Sequence, residues 1–359
     1  MSAFEHLPRY LISFSSALAL SWALTPLMGR VARRYGILDR PRQGRFHRTA
    51  TPYLGGLAVA VTLVLVAVAT RGLTARVTTI LLGGGAMCLL GFFDDWRTVG
   101  PVPKVLVEVS AGVALWAAGI RGGLFGVAAL DLALTVAWVV AVTNALNLVD
   151  NMDGLASGLA ALSALGFFGI SAHEGRFLVA SLAIAICGAS LGFLAHNFPP
   201  ARIFLGDAGS LALGFMLAAI GLELDIATQS GAVRAALPVL ALAFPLFDTA
   251  VVVSLRLLQH RPIYVGATDH TSHRLAARGM SSRGVAFTAF AIQAVCSALA
   301  VVLATSSREV LIIGVSAFAA AGTAAWGLLV NEGRRPSKAS PPAEQTRPVA
   351  GGTPQNAGE

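Results

Sequence analysis

The stretch Asn144-Ala-Leu-Asn-Leu-Val-Asp-Asn-Met-Asp-Gly-Leu-Ala-Ser-Gly-Leu159 lies between two long apolar segments. Its amides and carboxylates recur every three residues, at Asn144, Asn147, Asp150 and Asp153. If a helix continues through them, this spacing places the four side chains along one slowly drifting stripe, and Gly154 offers a place for the helix to end. Carboxylates at the mouth of a membrane helix are costly unless a cation or a polar ligand meets them. The stretch therefore predicts a functional site at a membrane boundary.

The composition predicts an integral membrane protein. Of the 359 residues, 55% are hydrophobic and 12% are charged, and the mean hydropathy is +0.72, whereas a soluble domain is about half apolar and a quarter charged. Apolar segments near the roughly 20 residues that a bilayer requires cover 7–28, 53–70, 77–93, 102–120, 124–143, 155–172, 177–195, 210–224, 232–255, 285–305 and 310–330. The sequence predicts an all-α, polytopic membrane protein with about 11 transmembrane helices.

The basic residues predict the orientation. Of the 26 lysines and arginines, 19 fall in the odd-numbered connections and the C-terminal tail, and 7 fall on the other side. The positive-inside rule then places the N-terminus outside and these connections and the C-terminus in the cytoplasm. We expect a transmembrane domain over 1–332, a disordered cytoplasmic tail over 333–359, and a location in the cytoplasmic (inner) membrane.

The second connection begins with two adjacent carboxylates, Asp94 and Asp95, at the end of an apolar helix. They repel each other, and both lie at the negative end of the helix macrodipole. A divalent cation, or a proton on one of them, would relieve this repulsion. The alternative is that they are interfacial aspartates that end the helix beside Arg97.

The fourth connection places Asp207 between Gly206 and Gly209, immediately before an apolar helix. The amides at that helix start could face an anion while the carboxylate holds a metal ion. Taken alone, Asp207 could equally be an ordinary helix cap.

Two further connections carry donors for phosphate. The fifth contains His270, His273 and Arg274, and the arginine-rich first connection contains His47. Imidazole and guanidinium groups bind phosphate oxygens, although the first connection could serve only as a topology determinant and a partner for anionic lipid. Together with carboxylates suited to Mg²⁺, these residues at a water-facing boundary suggest phosphoryl transfer from a soluble nucleotide to a lipid. The chain has neither a P-loop nor a dinucleotide-binding fingerprint, and we expect no nucleic-acid partner.

Several ordered motifs resemble the polyprenyl-phosphate N-acetylhexosamine-1-phosphate transferase superfamily, over most of the chain from Asp39 to Ser281. They are Phe-Asp-Asp at 93–95, Asn-x-x-Asn-x-x-Asp-x-x-Asp-Gly at 144–154, Phe-x-Gly-Asp-x-Gly-Ser at 204–210, and a histidine loop that ends Gly-Met-Ser at 279–281. This resemblance implies transfer of a sugar-1-phosphate from a UDP-sugar to a polyprenyl phosphate with release of UMP. It also implies dependence on Mg²⁺, with Mn²⁺ as an alternative ion.

The resemblance also implies a role for each matching residue. Asp207 is then the leading Mg²⁺ ligand, and Asp94 and Asp95 lie at the reacting phosphates, one of them as a base toward the lipid phosphate. The floor of the site is lined by Asn144, Asn147, Asp150 and Asp153. The nucleotide lies near Asp150, Asp153 and Asn197. His270 and His273 contact the pyrophosphate. The phosphate contacts expected of Arg274 and His47 come from their residue types and not from the resemblance.

The histidine loop bears on the sugar. Family members that use UDP-N-acetylglucosamine show His-x-His-His followed by two apolar residues, which aligns here with His270-Thr-Ser-His-Arg-Leu275, so that Ser272 replaces one histidine and Arg274 is an added cation. The muramoyl-pentapeptide branch shows three histidines followed by Phe-Glu, which this loop lacks. We therefore favour the N-acetylglucosamine branch and keep the pentapeptide transferase as the alternative.

A secondary transporter of a nucleotide-sugar or a lipid-linked sugar is the alternative from another class. Transporters place polar residues near the bilayer midplane in two related halves, whereas the polar residues here gather at one predicted surface. A homodimer is a further expectation.

Two acids within apolar segments also need partners. Asp248 either lines the cleft or pairs with Arg256, two turns later, because an unpaired intramembrane carboxylate is costly. Glu108 is spaced to pair with Lys104 on one helix face.

Overall fold

The computed structural model describes residues 6–39, 50–70, 72–224, 231–263 and 269–334. His47 and most of the predicted tail lie outside these ranges. The described residues are almost entirely helical, in thirteen helices. The helices are α1 Leu7–Tyr35, α2 Gly55–Ala69, α3 Ala75–Trp96, α4 Pro101–Ala117, α5 Ala128–Val149, α6 Leu155–His173, α7 Phe177–Asn197, α8 Gly206–Glu223, α9 Gly231–Ala241, α10 Ala243–Leu258, α11 Thr271–Ala277, α12 Ser282–Ala304 and α13 Arg308–Arg334.

Each predicted apolar segment forms helix, because a backbone inside lipid must satisfy its own hydrogen bonds. Within the described residues, eight helices are long and apolar enough to cross a membrane, and the bent pair α9–α10 makes a ninth if it is one span. The other two segments form α2, with 15 residues, and α4, with 17. The all-α polytopic fold is confirmed. The count of 11 spans and the orientation stay predictions.

The segment 232–255 is broken into α9 and α10, which meet at 88°. Pro245 has no N–H to donate to the carbonyl of Ala241, so the helix cannot continue through Leu242. Gln293 of α12 replaces the missing bonds: its Nε2 donates to Ala241 O at 2.8 Å, and its Oε1 accepts from Phe244 N at 3.0 Å. A buried glutamine therefore satisfies the backbone where the span breaks.

Helix α8 lies at the centre of the bundle and packs against α2, α3 and α5. Glycines allow the closest approaches. A Cβ on Gly91 of α3 would lie 2.2 Å from the backbone carbonyl carbon of Asp207, and one on Gly56 of α2 would lie 2.1 Å from Gly209 N. Small residues at such crossings are typical of membrane helices, and here they bring the end of α3 against the start of α8.

A short antiparallel pair precedes α2. Strand β1 (Leu38–Asp39) pairs with β2 (Thr51–Pro52) in the register Leu38 to Pro52. Pro52 O accepts a hydrogen bond from Phe204 N at 2.9 Å, and Phe204 O accepts one from Gly55 N at 3.1 Å. These bonds fix the connection before α8 to the entrance of α2, and they bring Asp39 and Tyr53 to the same end of the bundle as Asp207.

Candidate functional site

An acidic cavity of about 660 Å³ opens at one end of the bundle, where α3, α5 and α7 end and α8 and α12 begin. The predicted site residues that line it are Asp95, Asp150, Asp153, Asn197, Asp207 and His273. Carboxylates from three separate connections therefore meet in one space. A single site built from these separate connections requires this convergence.

Asp95 caps the start of α8. Its Oδ1 accepts a hydrogen bond from Asp207 N at 3.0 Å, and its Oδ2 accepts one from Ala208 N at 3.2 Å. The positive end of the α8 dipole stabilises this carboxylate. Gly206 has φ +71°, and a Cβ there would lie 2.5 Å from Asp95 Oδ2. The amides that we expected to face a substrate anion therefore bind Asp95.

Asp94 turns away from its neighbour toward Lys104 of α4. The Lys104 Nζ lies 2.8 Å from Asp94 Oδ2 and 2.7 Å from Asp207 Oδ2. Asp94 Oδ1 accepts a further hydrogen bond from Val99 N at 2.6 Å. One ammonium thus bridges two carboxylates that would otherwise repel each other. The repulsion predicted between Asp94 and Asp95 is relieved by separate partners for each.

Asp207 is held on both oxygens. Besides Lys104 on Oδ2, the Asn147 amide donates to Oδ1 at 3.0 Å and to Ser210 Oγ at 2.9 Å. Asn144, one turn earlier on α5, does not line the cavity. Its Nδ2 donates to Glu108 Oε2 at 2.6 Å, so Glu108 pairs with an amide of α5 as well as lying one turn from Lys104. Of these two asparagines of the predicted stripe, Asn147 therefore contacts Asp207, and Asn144 contacts Glu108.

Asp150 and Asp153 lie beyond the end of α5. Burial, together with the negative charges of Asp207, Asp95 and Asp153, raises the pKa of Asp150 well above its usual range. Asp153 Oδ2 accepts a hydrogen bond from Ala201 N at 2.9 Å. A cation in the cavity would therefore favour the ionised form of Asp150.

Asn197, at the end of α7, holds the two connections that frame the cavity. Its Oδ1 accepts from Gly154 N at 3.0 Å and from Ser157 Oγ at 3.2 Å, and its Nδ2 donates to Ile203 O at 2.9 Å. The side chain is almost completely buried. Its amide is committed to these backbone and hydroxyl partners, so its role in this structure is to position the cavity wall.

The two histidines occupy different environments. His273 lines the cavity, whereas His270 is buried, with its Nδ1 2.8 Å from Asp248 Oδ2. Asp248 Oδ1 also accepts from Thr271 N at 2.7 Å. Asp248 therefore pairs with the histidine loop, while Arg256 bonds Ile263 O and Asp269. Burial, with the neighbouring His270, lowers the pKa of His273, so its imidazole is neutral at pH 7.

The residues that flank His273 point elsewhere. Arg274 Nη1 donates to Leu329 O of α13 at 2.9 Å, and its Nε donates to Asp269 O at 3.2 Å. The structure thus places Arg274 against α13 and not in the cavity. Ser272, which stands where a family histidine is expected, donates to Asn151 Oδ1 at 2.7 Å. It fixes the histidine loop to the acidic stretch.

The carboxylates of the cavity fit Mg²⁺ only if water and substrate phosphates complete its coordination. Within the described ranges, no three His, Cys, Asp or Glu side chains form a group that could hold a metal ion on their own. Mg²⁺ usually takes one or two carboxylates and completes its coordination with water and substrate phosphates. Asp207 and Asp150, which share the cavity, are oxygen donors of the required kind.

Comparison with known proteins shows which family the chain resembles. The model of glycosyl transferase family 4 matches residues 77–225, from α3 through α8. A Bacillus subtilis protein named "Probable undecaprenyl-phosphate N-acetylglucosaminyl 1-phosphate transferase" is 31% identical over 313 residues, which cover 84% of this chain and 87% of the relative. The chain belongs to glycosyl transferase family 4. It is accordingly an enzyme, a sugar-1-phosphate transferase.

Two other relatives of this family 4 transferase bear on its branch. A Mycobacterium tuberculosis protein named decaprenyl-phosphate N-acetylglucosaminephosphotransferase is 32% identical over 313 residues, 77% of each chain. A Bacillus mycoides protein named phospho-N-acetylmuramoyl-pentapeptide-transferase is 31% identical over 238 residues, which cover 59% of this chain and 73% of the relative. All three relatives support the polyprenyl-phosphate transferase family, and the Bacillus subtilis and Mycobacterium tuberculosis proteins support its N-acetylglucosamine branch.

Sequence reasoning missed two basic residues of this family 4 transferase. Lys104 was predicted to pair with Glu108, yet it bridges Asp94 and Asp207. Arg283 lines the cavity at the start of α12, and its Nε donates to Pro199 O at 2.9 Å. The available signals were a lysine shortly after the Asp-Asp pair and an arginine two residues after the Gly-Met-Ser motif.

Proposed function

We propose that this chain transfers N-acetylglucosamine-1-phosphate from UDP-N-acetylglucosamine to a polyprenyl phosphate and releases UMP, with Mg²⁺ as cofactor, in the first membrane step of a cell-envelope glycan. The observation that carries the proposal is the acidic cavity at the ends of membrane helices. A soluble donor can enter from water there, while the acceptor keeps its isoprenoid tail in hydrocarbon.

The charge of the cavity supports a bound cation. Among the described lining residues, five carboxylates face one arginine. Such a surface repels a pyrophosphate unless positive charge is added. When bound, Mg²⁺ would neutralise phosphate oxygens and the carboxylates of Asp207 and Asp150.

The chain's own residues then act by positioning and by charge. Lys104 and Asn147 hold both oxygens of Asp207 in one orientation. The neutral imidazole of His273 can donate a hydrogen bond to a phosphate oxygen of the donor. Arg283, which also lines the cavity, adds a fixed positive charge. These contacts align the reacting groups and reduce the cost of bringing charges together.

Asp95 is poorly suited to act as a base. Both of its oxygens accept hydrogen bonds from backbone amides of α8. A phosphate monoester, with a second pKa near 6, is largely dianionic at neutral pH. The acceptor oxygen can therefore attack the β-phosphorus of the UDP-sugar without losing a proton. The bond from the β-phosphorus to the UMP oxygen breaks as the bond from the acceptor oxygen to that phosphorus forms.

A donor panel tests the proposal with the purified full-length protein. Labelled UDP-N-acetylglucosamine, polyprenyl phosphate and Mg²⁺ should give radioactive lipid and an equal amount of UMP. Chelation of the metal should stop both products, and Mn²⁺ should restore them. Turnover of UDP-N-acetylmuramoyl-pentapeptide in preference to UDP-N-acetylglucosamine would assign the chain to the pentapeptide branch instead.

We further propose that the cavity faces the cytoplasm, where UDP-sugars are made. Thr98, in the connection between α3 and α4, and Ser307, before α13, are exposed at opposite ends of the bundle. A membrane-impermeant thiol reagent should label Ser307→Cys in intact cells and Thr98→Cys only after lysis. The reverse pattern would contradict this orientation. A homodimer stays a prediction, to be tested by the mass of the purified complex.

A further inference from the structure

An arginine cluster lies at the end of the bundle opposite the acidic cavity. Arg76 is the second residue of α3, and Asp95 follows it 19 positions later, so about 28 Å of helix separates the two. Helix α8 likewise starts at the cavity with Asp207 and ends at Glu223. The same helices therefore carry the acidic cavity at one end and the arginine cluster at the other.

Glu223 joins two members of the cluster. The Arg76 Nη1 lies 3.0 Å from one oxygen of Glu223 and 3.3 Å from the other. The Arg176 Nη1 lies 3.7 Å from the Glu223 carboxylate and also donates to its backbone carbonyl. The carboxylate is 5% exposed, whereas the Arg76 side chain is 58% exposed. The buried acid thus holds arginines that face outward.

Arg121 adds a third guanidinium, from the connection between α4 and α5. It lies 5.5 Å above the ring of Trp116. Helix α5 fixes this connection, because Thr135 Oγ1 accepts from Gly122 N at 3.3 Å and Asp131 Oδ1 accepts from Phe125 N at 3.0 Å. Among the described residues that line this space, three arginines face the one carboxylate of Glu223. The described part of the lining therefore carries a surplus of positive charge.

Two grooves meet at this cluster, and both include Arg76, Arg176 and Glu223. The first has a volume of about 460 Å³ and the second about 360 Å³. The apolar wall of the first includes Leu124, Leu134, Trp138, Pro238 and Val239. The apolar wall of the second includes Val77, Ile80, Leu178, Leu182 and Ile220. A ligand that fits both grooves has an anionic group between two apolar chains.

We propose that Arg76, Arg121 and Arg176 bind the phosphate of an anionic diacyl phospholipid, with its acyl chains along the two grooves. Arginine binds phosphate through two parallel hydrogen bonds and is weakly hydrated, which suits a site at a lipid boundary. The surplus positive charge favours a headgroup with net negative charge over a zwitterionic one. This lipid belongs to the leaflet opposite the acidic cavity, so the site is separate from that of the acceptor.

The test is native mass spectrometry of the full-length protein in detergent. The probes are phosphatidylglycerol and phosphatidylcholine with identical acyl chains. Wild-type protein should retain phosphatidylglycerol at least about tenfold better. Arg121→Gln, which leaves the pairs with Glu223 intact, should lower that retention about tenfold, as expected for one charge-assisted contact. The double change Arg76→Gln with Glu223→Gln should do the same without leaving a buried acid unpaired.

Arg308→Gln is the matched control, because Arg308 is an exposed arginine at the start of α13, on the same face and outside both grooves. It should retain the lipid as wild type does, and every variant should keep wild-type transfer activity in detergent, which reports correct folding. Equal retention of the two lipids by wild type, or an equal loss in the control, would overturn the proposal. Complete displacement of phosphatidylglycerol by inorganic phosphate would also overturn it, and would indicate a site for free anions.

Discussion

Replacing Lys104 with glutamine should disrupt the active site more than the fold. Its ammonium lies 2.8 Å from Asp94 Oδ2 and 2.7 Å from Asp207 Oδ2, so these two oxygens are at most about 5.5 Å apart. At an effective dielectric constant of about 20, two charges at that separation repel by about 3 kcal/mol. Without the lysine, this repulsion favours rotation of Asp207 away from its position.

We therefore expect kcat/KM of Lys104→Gln to fall about 100-fold, since about 1.4 kcal/mol corresponds to a factor of ten. The assay is transfer from labelled UDP-N-acetylglucosamine at saturating Mg²⁺, together with the thermal unfolding midpoint. Lys104→Arg should recover part of the activity because it keeps the charge. Adding Asp94→Asn to Lys104→Gln removes the repulsion between the two carboxylates, so the double variant should recover most of the lost activity.

The result that refutes this reasoning is wild-type kcat/KM in Lys104→Gln. An equally low activity in the double variant would also contradict it. In that case the loss would come from the missing contact between Lys104 and Asp207, and not from repulsion by Asp94.

Three further changes test other parts of the structure. Asp207→Asn should lower the rate of transfer at least about 1000-fold at any Mg²⁺ concentration. The control Glu309→Gln, which changes an exposed acid at the other end of the bundle, should leave the rate unchanged. A wild-type rate for Asp207→Asn would show that Asp207 is not part of the active site. Because the pKa of His273 is lowered below 6.5, the KM for the UDP-sugar should be constant from about pH 7 to 8. It should decrease at lower pH, where the imidazole gains a proton and its hydrogen bond to the donor phosphate becomes charge-assisted. His273→Gln should lose that decrease, and an unchanged pH profile of KM would exclude His273 as its origin. Gln293→Leu should destabilise the protein by about 2–4 kcal/mol, because the amide of Phe244 and the carbonyl of Ala241 lose their partner; an unchanged unfolding midpoint would show that these groups find other partners.

The sequence alone determined where the helices are. Each apolar segment forms helix, since a spanning backbone must close its own hydrogen bonds and can do so with local residues. The sequence also determined that Asp95, Asp150 and Asp207 lie at one end of the bundle, because the polar connections alternate between the ends of successive spans. The motif at 144–154 was sufficient to indicate the site.

Only the tertiary structure decided which partner each polar group takes. Asp95 binds amides of α8 that lie 112 and 113 positions away, and that contact exists because Gly91 lets α3 approach α8 closely. Periodicity along one helix carries no information about such a partner. For the same reason, spacing could not show that His270 pairs with Asp248 or that Arg274 bonds α13.

The difference has one physical cause. Helix formation in a membrane depends on composition over about 20 neighbouring residues, so it can be predicted from a short window of sequence. The direction of a side chain at a helix end depends on which other helices pack there and on which hydrogen-bond partners they bring. Asn144 and Asn147 share a motif, yet only Asn147 reaches Asp207, because the packing of α5 between α4 and α8 places one amide toward each neighbour.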